Sequence, residues 1–127
     1  MPVPSDAPHL PRSAPIEAYG KGGFAFADMS HRGSLLCLPE AIWAWPVARP
    51  EEIDEASLVR VFEEASRIDT LIIGTGTGVW SPPSSLREAL RGVKVMLDTM
   101  QTGPAITTYN IMIGERRRVA AALIAVP

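Results

Sequence analysis

The chain has 127 residues, the size of one domain, and 46% of them are apolar, enough for a core without disulfide or metal staples. Its net charge is −2 with acids and bases interspersed, which excludes the strongly basic balance of a protein that coats nucleic acid or an anionic membrane. A single cysteine, Cys37, excludes an internal disulfide, and no run reaches the roughly 20 apolar residues of a membrane-spanning helix.

Residues 1–15 hold five of the twelve prolines and no apolar periodicity. This composition predicts a flexible Pro-rich arm over 1–14, with His9 solvated, followed by a single α/β domain over 15–127. The N-terminus lacks the basic-then-apolar pattern of a signal peptide, so a cytoplasmic location is the default expectation.

From Ile16 the pattern has period two. Ile16 and Ala18 alternate with Glu17 and Tyr19, and Phe24 and Phe26 share a face after the turn composition Gly20-Lys21-Gly22-Gly23. Ser30-His31-Arg32-Gly33 reads as a second turn, Ser34 to Leu38 as an apolar strand, and Ile42 to Trp45 as another that Pro46 keeps from the middle of a sheet. Short strands at this spacing predict an antiparallel meander. Cys37, within Leu35 to Leu38, reads as a buried small hydrophobe rather than a reactive thiol.

The second half changes period. Asp54 is placed to cap a helix to about Arg67, with Leu58, Phe62 and Ala65 on one face and Glu63 paired with Arg67 on the other. Thr70 to Gly74 reads as a buried strand and Ser84 to Arg91 as a helix with a Ser85/Glu88 capping box and a stop at Gly92. Val93 to Leu97 reads as the next strand. Thr102-Gly103-Pro104 opens a third helix that Gly114 closes, and Val119 to Val126 is apolar enough for a strand covered on both faces. Arg116-Arg117-Arg118 reads as a solvated turn with one ion pair to Glu115, and Trp43, Trp45 and Trp80 as core or partly covered. The sum is an α/β class, a three-layer single domain with a mixed central sheet, three helices and an N-terminal antiparallel β-meander.

The most suggestive chemical feature is the loop Gly74-Thr75-Gly76-Thr77-Gly78. It leaves the end of a strand, where α/β ligand sites lie, and glycines let backbone N–H groups approach an anion. Asp98 follows at about the distance of a ribose-binding acid. Against a dinucleotide site, Val79 stands where the fingerprint requires glycine, and Trp80-Ser81-Pro82-Pro83 separates the loop from its helix. No Gly-Lys-Ser/Thr is present, which excludes a P-loop. A tight turn is the leading reading of this loop, a small-anion pocket the second and a dinucleotide site the last. Thr107 to Asn110 reads first as a buried polar network that locks its helix to the sheet, and second as a pocket wall. If the strands are parallel, both features open at one end of the sheet. The candidate ligand pocket is then Gly74, Thr75, Gly76, Thr102, Thr108, Tyr109 and Asn110. Two histidines without a partner by spacing recommend no catalytic residue, and the scattered His/Cys supply recommends no metal site. No cofactor is expected.

The order Leu71-Ile72-Ile73-Gly74-Thr75-Gly76, then Thr102 with Ala105, Thr108-Tyr109-Asn110, and Arg117 through Ile124 resembles a small α/β domain family of unknown function. That family includes mitochondrial complex I assembly factor three and the adipogenesis-associated domain protein. The resemblance covers about residues 15–127, and Gly114-Glu115-Arg116 departs from the Glu-Gly-Arg order more usual there. It implies a mixed central sheet with helices and a small antiparallel sheet, and it supplies no catalytic residue. It also implies a non-catalytic protein-interaction or assembly module whose unidentified partner is a respiratory complex subunit, with no nucleic acid and no membrane span. A small-molecule or anion binder using the Gly-rich loop is the alternative, and an enzyme of unknown reaction the third.

Overall fold

Two hydrophobic clusters, one on each face of a five-stranded sheet, organise residues 8–127, the part of the chain that the computed structural model describes. In chain order the strands are β1 (Ala18–Gly20), β2 (Gly23–Phe26), β3 (Met29–Arg32), β4 (Ser34–Leu38), β5 (Ala41–Trp45), β6 (Thr70–Gly74), β7 (Met96–Met100) and β8 (Val119–Leu123). The helices are α1 (Val59–Glu63), α2 (Ser84–Gly92) and α3 (Thr102–Gly114). β1, β2 and β3 form a separate antiparallel sheet, and the central sheet has the order β5-β4-β8-β6-β7. β6 is parallel to both β7 and β8, whereas β4 is antiparallel to β8 and β5, so the central sheet is mixed.

Small residues in β8 let both layers approach. Ala120 and Ala122 turn to the face that carries Leu58 and Val61 with Leu86 and Leu90 of α2. Val119, Ala121 and Leu123 turn to the opposite face, against Ala105, Ile106 and Tyr109 of α3 and Phe24 and Phe26 of β2. All five β8 residues are buried, as a strand covered on both faces must be. α2 and α3 therefore lie on opposite faces, as crossovers that leave neighbouring strands in opposite directions require.

Several local expectations shift. The reversal expected at 30–33 falls at Ala27 and Asp28, with φ of 50° and 62°, so Ser30 to Arg32 are strand residues of β3. The expected meander accordingly divides: β1 to β3 stay together, and the β4–β5 hairpin joins the central sheet. The helix expected over 54–67 is broken. Asp54 does cap its start, Ser57 N–H donating to Asp54 Oδ1 at 2.8 Å and Asp54 N–H donating to Ser57 Oγ at 3.0 Å in a reciprocal capping box, but the helix does not run on to Arg67. Only α1 and a 3-10 turn at Ala65–Arg67 follow. Arg67 pairs with Glu40 at 3.2 Å rather than with Glu63.

The strand expected over Val93–Leu97 begins three residues later, at Met96. Lys94 has φ of 63° and Val95 N–H returns to Leu90 O at 3.0 Å, a helix-end turn that uses up those residues. α2 starts from Pro83 without a side-chain cap, so the Ser85/Glu88 box does not form. Regular strand structure in β8 stops at Leu123, although Ile124 and Val126 are still buried.

Of the arm expected at 1–14, residues 1–7 lie outside the described residues. Residues 9 and 10 run along β5: His9 N–H donates to Ile42 O at 2.9 Å, and Ile42 N–H donates to Leu10 O at 2.8 Å. Ala14 is buried, and His9 is exposed with its ring 4.6 Å from that of His31.

The placement of Leu123, fully buried in β8 between β4 and β6, predicts that Leu123→Asp abolishes cooperative folding. An unpaired buried carboxylate costs several kcal/mol, on the order of a small domain's whole stability. A sigmoidal urea melt of soluble Leu123→Asp protein would contradict this placement of β8.

Candidate functional site

The crevice where an α/β sheet usually binds a ligand lies beyond the carboxyl ends of its parallel strands, between loops that leave to opposite faces. Here those loops are Gly74 to Gly78, which leads from β6 toward α2, and Gln101 with Thr102, which lead from β7 into α3. The structure brings Gly74, Thr75, Gly76 and Thr102 together at this point, and hydrogen bonds fill the space between them.

Thr102 is the centre of the arrangement. Its side chain is fully buried, accepts from Gly76 N–H at 2.9 Å and donates to Ile124 O at 2.7 Å. Thr102 N–H donates to Gly76 O at 3.0 Å, and Thr75 N–H donates to Met100 O at 2.8 Å. Thr75 Oγ1 donates to Gly78 O at 2.6 Å, which closes the loop on itself. Glycine suits two positions here. Gly76 has φ of 87°, and a Cβ on Gly74 would stand 3.1 Å from Thr102 Cα, Thr102 Oγ1 and Leu123 Cδ2. Beside this knot lies an open groove of about 420 Å³, lined by Arg49, Thr75 to Val79 and residues 124–127.

The other three candidates lie elsewhere. Thr108 bonds to Pro104 O and Met100 Sδ from the second turn of α3, and lines a groove along β7. Tyr109 is fully buried in the core beside Cys37, and its hydroxyl lacks an N or O partner among the described residues. Burial, with the Cys37 thiol as neighbour, pushes the phenol well above its ordinary range. Burial likewise pushes the Cys37 thiol up to about 12, which makes it an inert packing group rather than a nucleophile.

Asn110 performs a task that its sequence position only half announced. Its Oδ1 accepts from Ile16 N–H at 2.9 Å and its Nδ2 donates to Ile16 O at 2.8 Å. One side-chain amide thus pairs with a backbone residue as a neighbouring strand would. It ties α3 to the segment that enters β1. No spacing in the chain links residues 16 and 110, so the partner was not legible in advance.

Among the described residues no group of three His, Cys, Asp or Glu side chains is placed to hold a metal ion. Burial, then the nearby His9, lowers the pKa of His31, whose Nε2 lies 3.1 Å from Ser34 O. The Arg116 to Arg118 turn carries the expected Arg117–Glu115 pair at 3.7 Å. It also carries a two-pronged contact from Arg118 to Asp69, at 2.6 and 3.2 Å, that fastens the start of β8 to the start of β6. Trp45 is core and donates to Ser57 O at 2.8 Å, while Trp43 lies half-buried under the Arg60 guanidinium at 3.4 Å.

Replacing Asn110 with alanine strands both backbone groups of Ile16 in a partly buried site. Asn110→Ala is expected to lower the unfolding free energy by ~1–3 kcal/mol in urea titration. A loss below about 0.5 kcal/mol, the scatter of neutral surface substitutions, would show that the amide is not a fastening point.

Residues 16–124 match the family described as "Protein of unknown function (DUF498/DUF598)", and the chain belongs to that family. The fold matches the solution structure of a Rhodopseudomonas palustris protein at 71% identity and a TM-score of 0.84, over 100% of this chain and 94% of that one. It also matches the crystal structure of a Bartonella henselae protein named as an outer membrane protein, at 45% identity and a TM-score of 0.90, over 94% of this chain and 100% of that one. Among curated relatives, NADH dehydrogenase [ubiquinone] 1 alpha subcomplex assembly factor 3 of Xenopus tropicalis is 32% identical over 109 residues, 86% of this chain and 60% of the factor's length.

Proposed function

We propose that this member of the DUF498/DUF598 family is a non-catalytic protein-interaction or assembly module, and that its partners are subunits of a respiratory NADH dehydrogenase. The observation that carries the reading is the likeness to the assembly factor across 86% of the chain. The crevice geometry supports it. The amide of Gly76 and the amide and hydroxyl of Thr102 are committed to each other and to Ile124, a use of polar groups that suits a rigid scaffold. A cytoplasmic address belongs to the same proposal. Among the described residues no helix is long and apolar enough to cross a membrane. Fractionation tests that address against the location carried by the Bartonella protein's name.

The second reading is a small-molecule or anion binder. One observation favours it: the groove of about 420 Å³ beside Gly76 includes Arg49, which is 3.8 Å from Glu52, as well as Glu51. In that reading Gly74, Thr75, Gly76 and Thr102 form the floor of the site, while Thr108, Tyr109 and Asn110 act through the packing of α3. A thermal-shift screen with phosphate, nucleotides and carboxylates separates the two readings. A ligand that raises Tm at millimolar concentration would favour binding.

The assembly reading is tested in the native cell. Affinity purification of the tagged chain after mild crosslinking is expected to recover NADH dehydrogenase subunits. Deletion of its gene is expected to reduce the fully assembled complex on native gels. Normal levels of intact complex in the deletion strain, with no subunit crosslinked, would overturn it.

A further inference from the structure

The central sheet has two edges, and the chain treats them differently. Along β5, residues 9 and 10 exchange hydrogen bonds with Ile42, and Pro46 follows the strand. No such cover lies along β7 among the described residues. Met96 N–H donates to Asp69 O at 2.9 Å, and Met100 O accepts from Thr75 N–H at 2.8 Å. Residues 96, 98 and 100 therefore turn their backbone groups toward β6. In a parallel ladder the alternate residues turn theirs away, so Leu97 and Thr99 present N–H and C=O groups at the open edge.

The two flanks of that edge differ in chemistry. On the α3 side runs a groove of about 570 Å³ lined by Ile72, Met96, Ile111 and Met112 together with Asp98 and the mutually paired Glu115 and Arg117. Met96 is 69% and Ile111 57% exposed, so two large apolar side chains meet water there. On the α2 side a groove of about 350 Å³ is lined by Arg87, Arg91 and Lys94 beside Val95 to Leu97. Among the described residues none of these three cations forms an ion pair.

This asymmetry selects the occupant. A second copy that extends the sheet antiparallel does so about a two-fold axis normal to the sheet, which keeps each face on its own side. Both copies would then bring Arg87, Arg91 and Lys94 together, and like charges across a strand pair repel. A strand of opposite charge on that face meets no such penalty.

We propose that the open edge of β7 is the docking site for an extended segment of a protein partner in which apolar and acidic residues alternate. Leu97 and Thr99 supply the main-chain ladder. The apolar side chains enter the groove between β7 and α3, and the acidic ones lie over Arg87, Arg91 and Lys94. The proposal rests on the interaction-module reading above and names its surface.

The test uses the full chain and two short capped peptides, one alternating isoleucine with glutamate and one alternating isoleucine with lysine, followed by amide NMR. The glutamate peptide is expected to shift and protect the Leu97 and Thr99 amides, with a Kd at least about tenfold tighter than the lysine peptide. The double variant Arg91→Glu with Lys94→Glu is expected to invert that preference. Thr99→Pro removes one outward N–H at an edge position where proline is tolerated, and is expected to abolish peptide binding without loss of fold. Equal binding of both peptides, no binding, or shifts confined to another surface would overturn the proposal. So would a dimer that Thr99→Pro dissociates, since a second copy would then be the occupant. If Thr99→Pro still captures dehydrogenase subunits as the parent does, the edge proposal fails and the assembly reading stands. If the parent captures none while the glutamate peptide binds at β7, the assembly reading fails and the edge proposal stands.

Discussion

The hydroxyl of Thr102 accepts one hydrogen bond and donates another, and three chain segments meet through it: the loop after β6, the first turn of α3 and the residue that follows β8. The site is fully buried, so neither Gly76 N–H nor Ile124 O has water as a substitute partner. The consequence spreads from there. A Cβ on Gly74 would stand 3.1 Å from Thr102, tight enough that the neighbouring chain would have to shift by a few tenths of an ångström. α3 begins at a fixed height over the sheet, which seats Tyr109 beside Cys37 and puts Asn110 opposite Ile16. The crevice that many α/β sheets leave open for a ligand is used here to hold the sheet, α3 and the end of the chain in register.

How far the sequence disclosed this differs by element. Strands whose apolar character is continuous, Thr70 to Gly74 and Val119 onward, were legible because burial on both faces leaves no other composition. α3 was legible from Thr102 at its start and Gly114 at its end. The boundaries that moved did so where a local hydrogen bond outweighed periodicity. The helix that Asp54 caps gives way to a 3-10 turn at Ala65–Arg67, and the left-handed Lys94 displaced β7. That last shift hid the most. With Val93 to Leu97 read as strand, Lys94 falls inside it, and the cations of α2 cannot be placed beside an open edge. The two bonds from Asn110 to Ile16 span 94 positions, beyond the reach of any spacing argument.

Of the seven residues grouped as a candidate pocket, the four at Gly74, Thr75, Gly76 and Thr102 share one place, while Thr108 and Asn110 follow other faces of α3 and Tyr109 lies on the face of Thr102 but further along the helix. α3 turns about every 3.6 residues, so residues 102 and 109 lie two turns apart, roughly 10 Å along the axis. The polar chemistry of the helix is thus distributed over several fastening points. Such a fold offers a partner a stiff surface, and stiffness lowers the ordering cost of binding.

The claim that the crevice is a structural knot is tested most directly by urea unfolding of Thr102→Val beside Thr102→Ser. Valine keeps the shape and removes both bonds, whereas serine keeps both bonds and loses a methyl group. The account predicts a loss of roughly 2–5 kcal/mol for valine, from two buried groups left without partners. For serine it predicts a loss of about 1 kcal/mol. A valine variant as stable as the serine variant would contradict it, because the hydroxyl would then be dispensable to the fold.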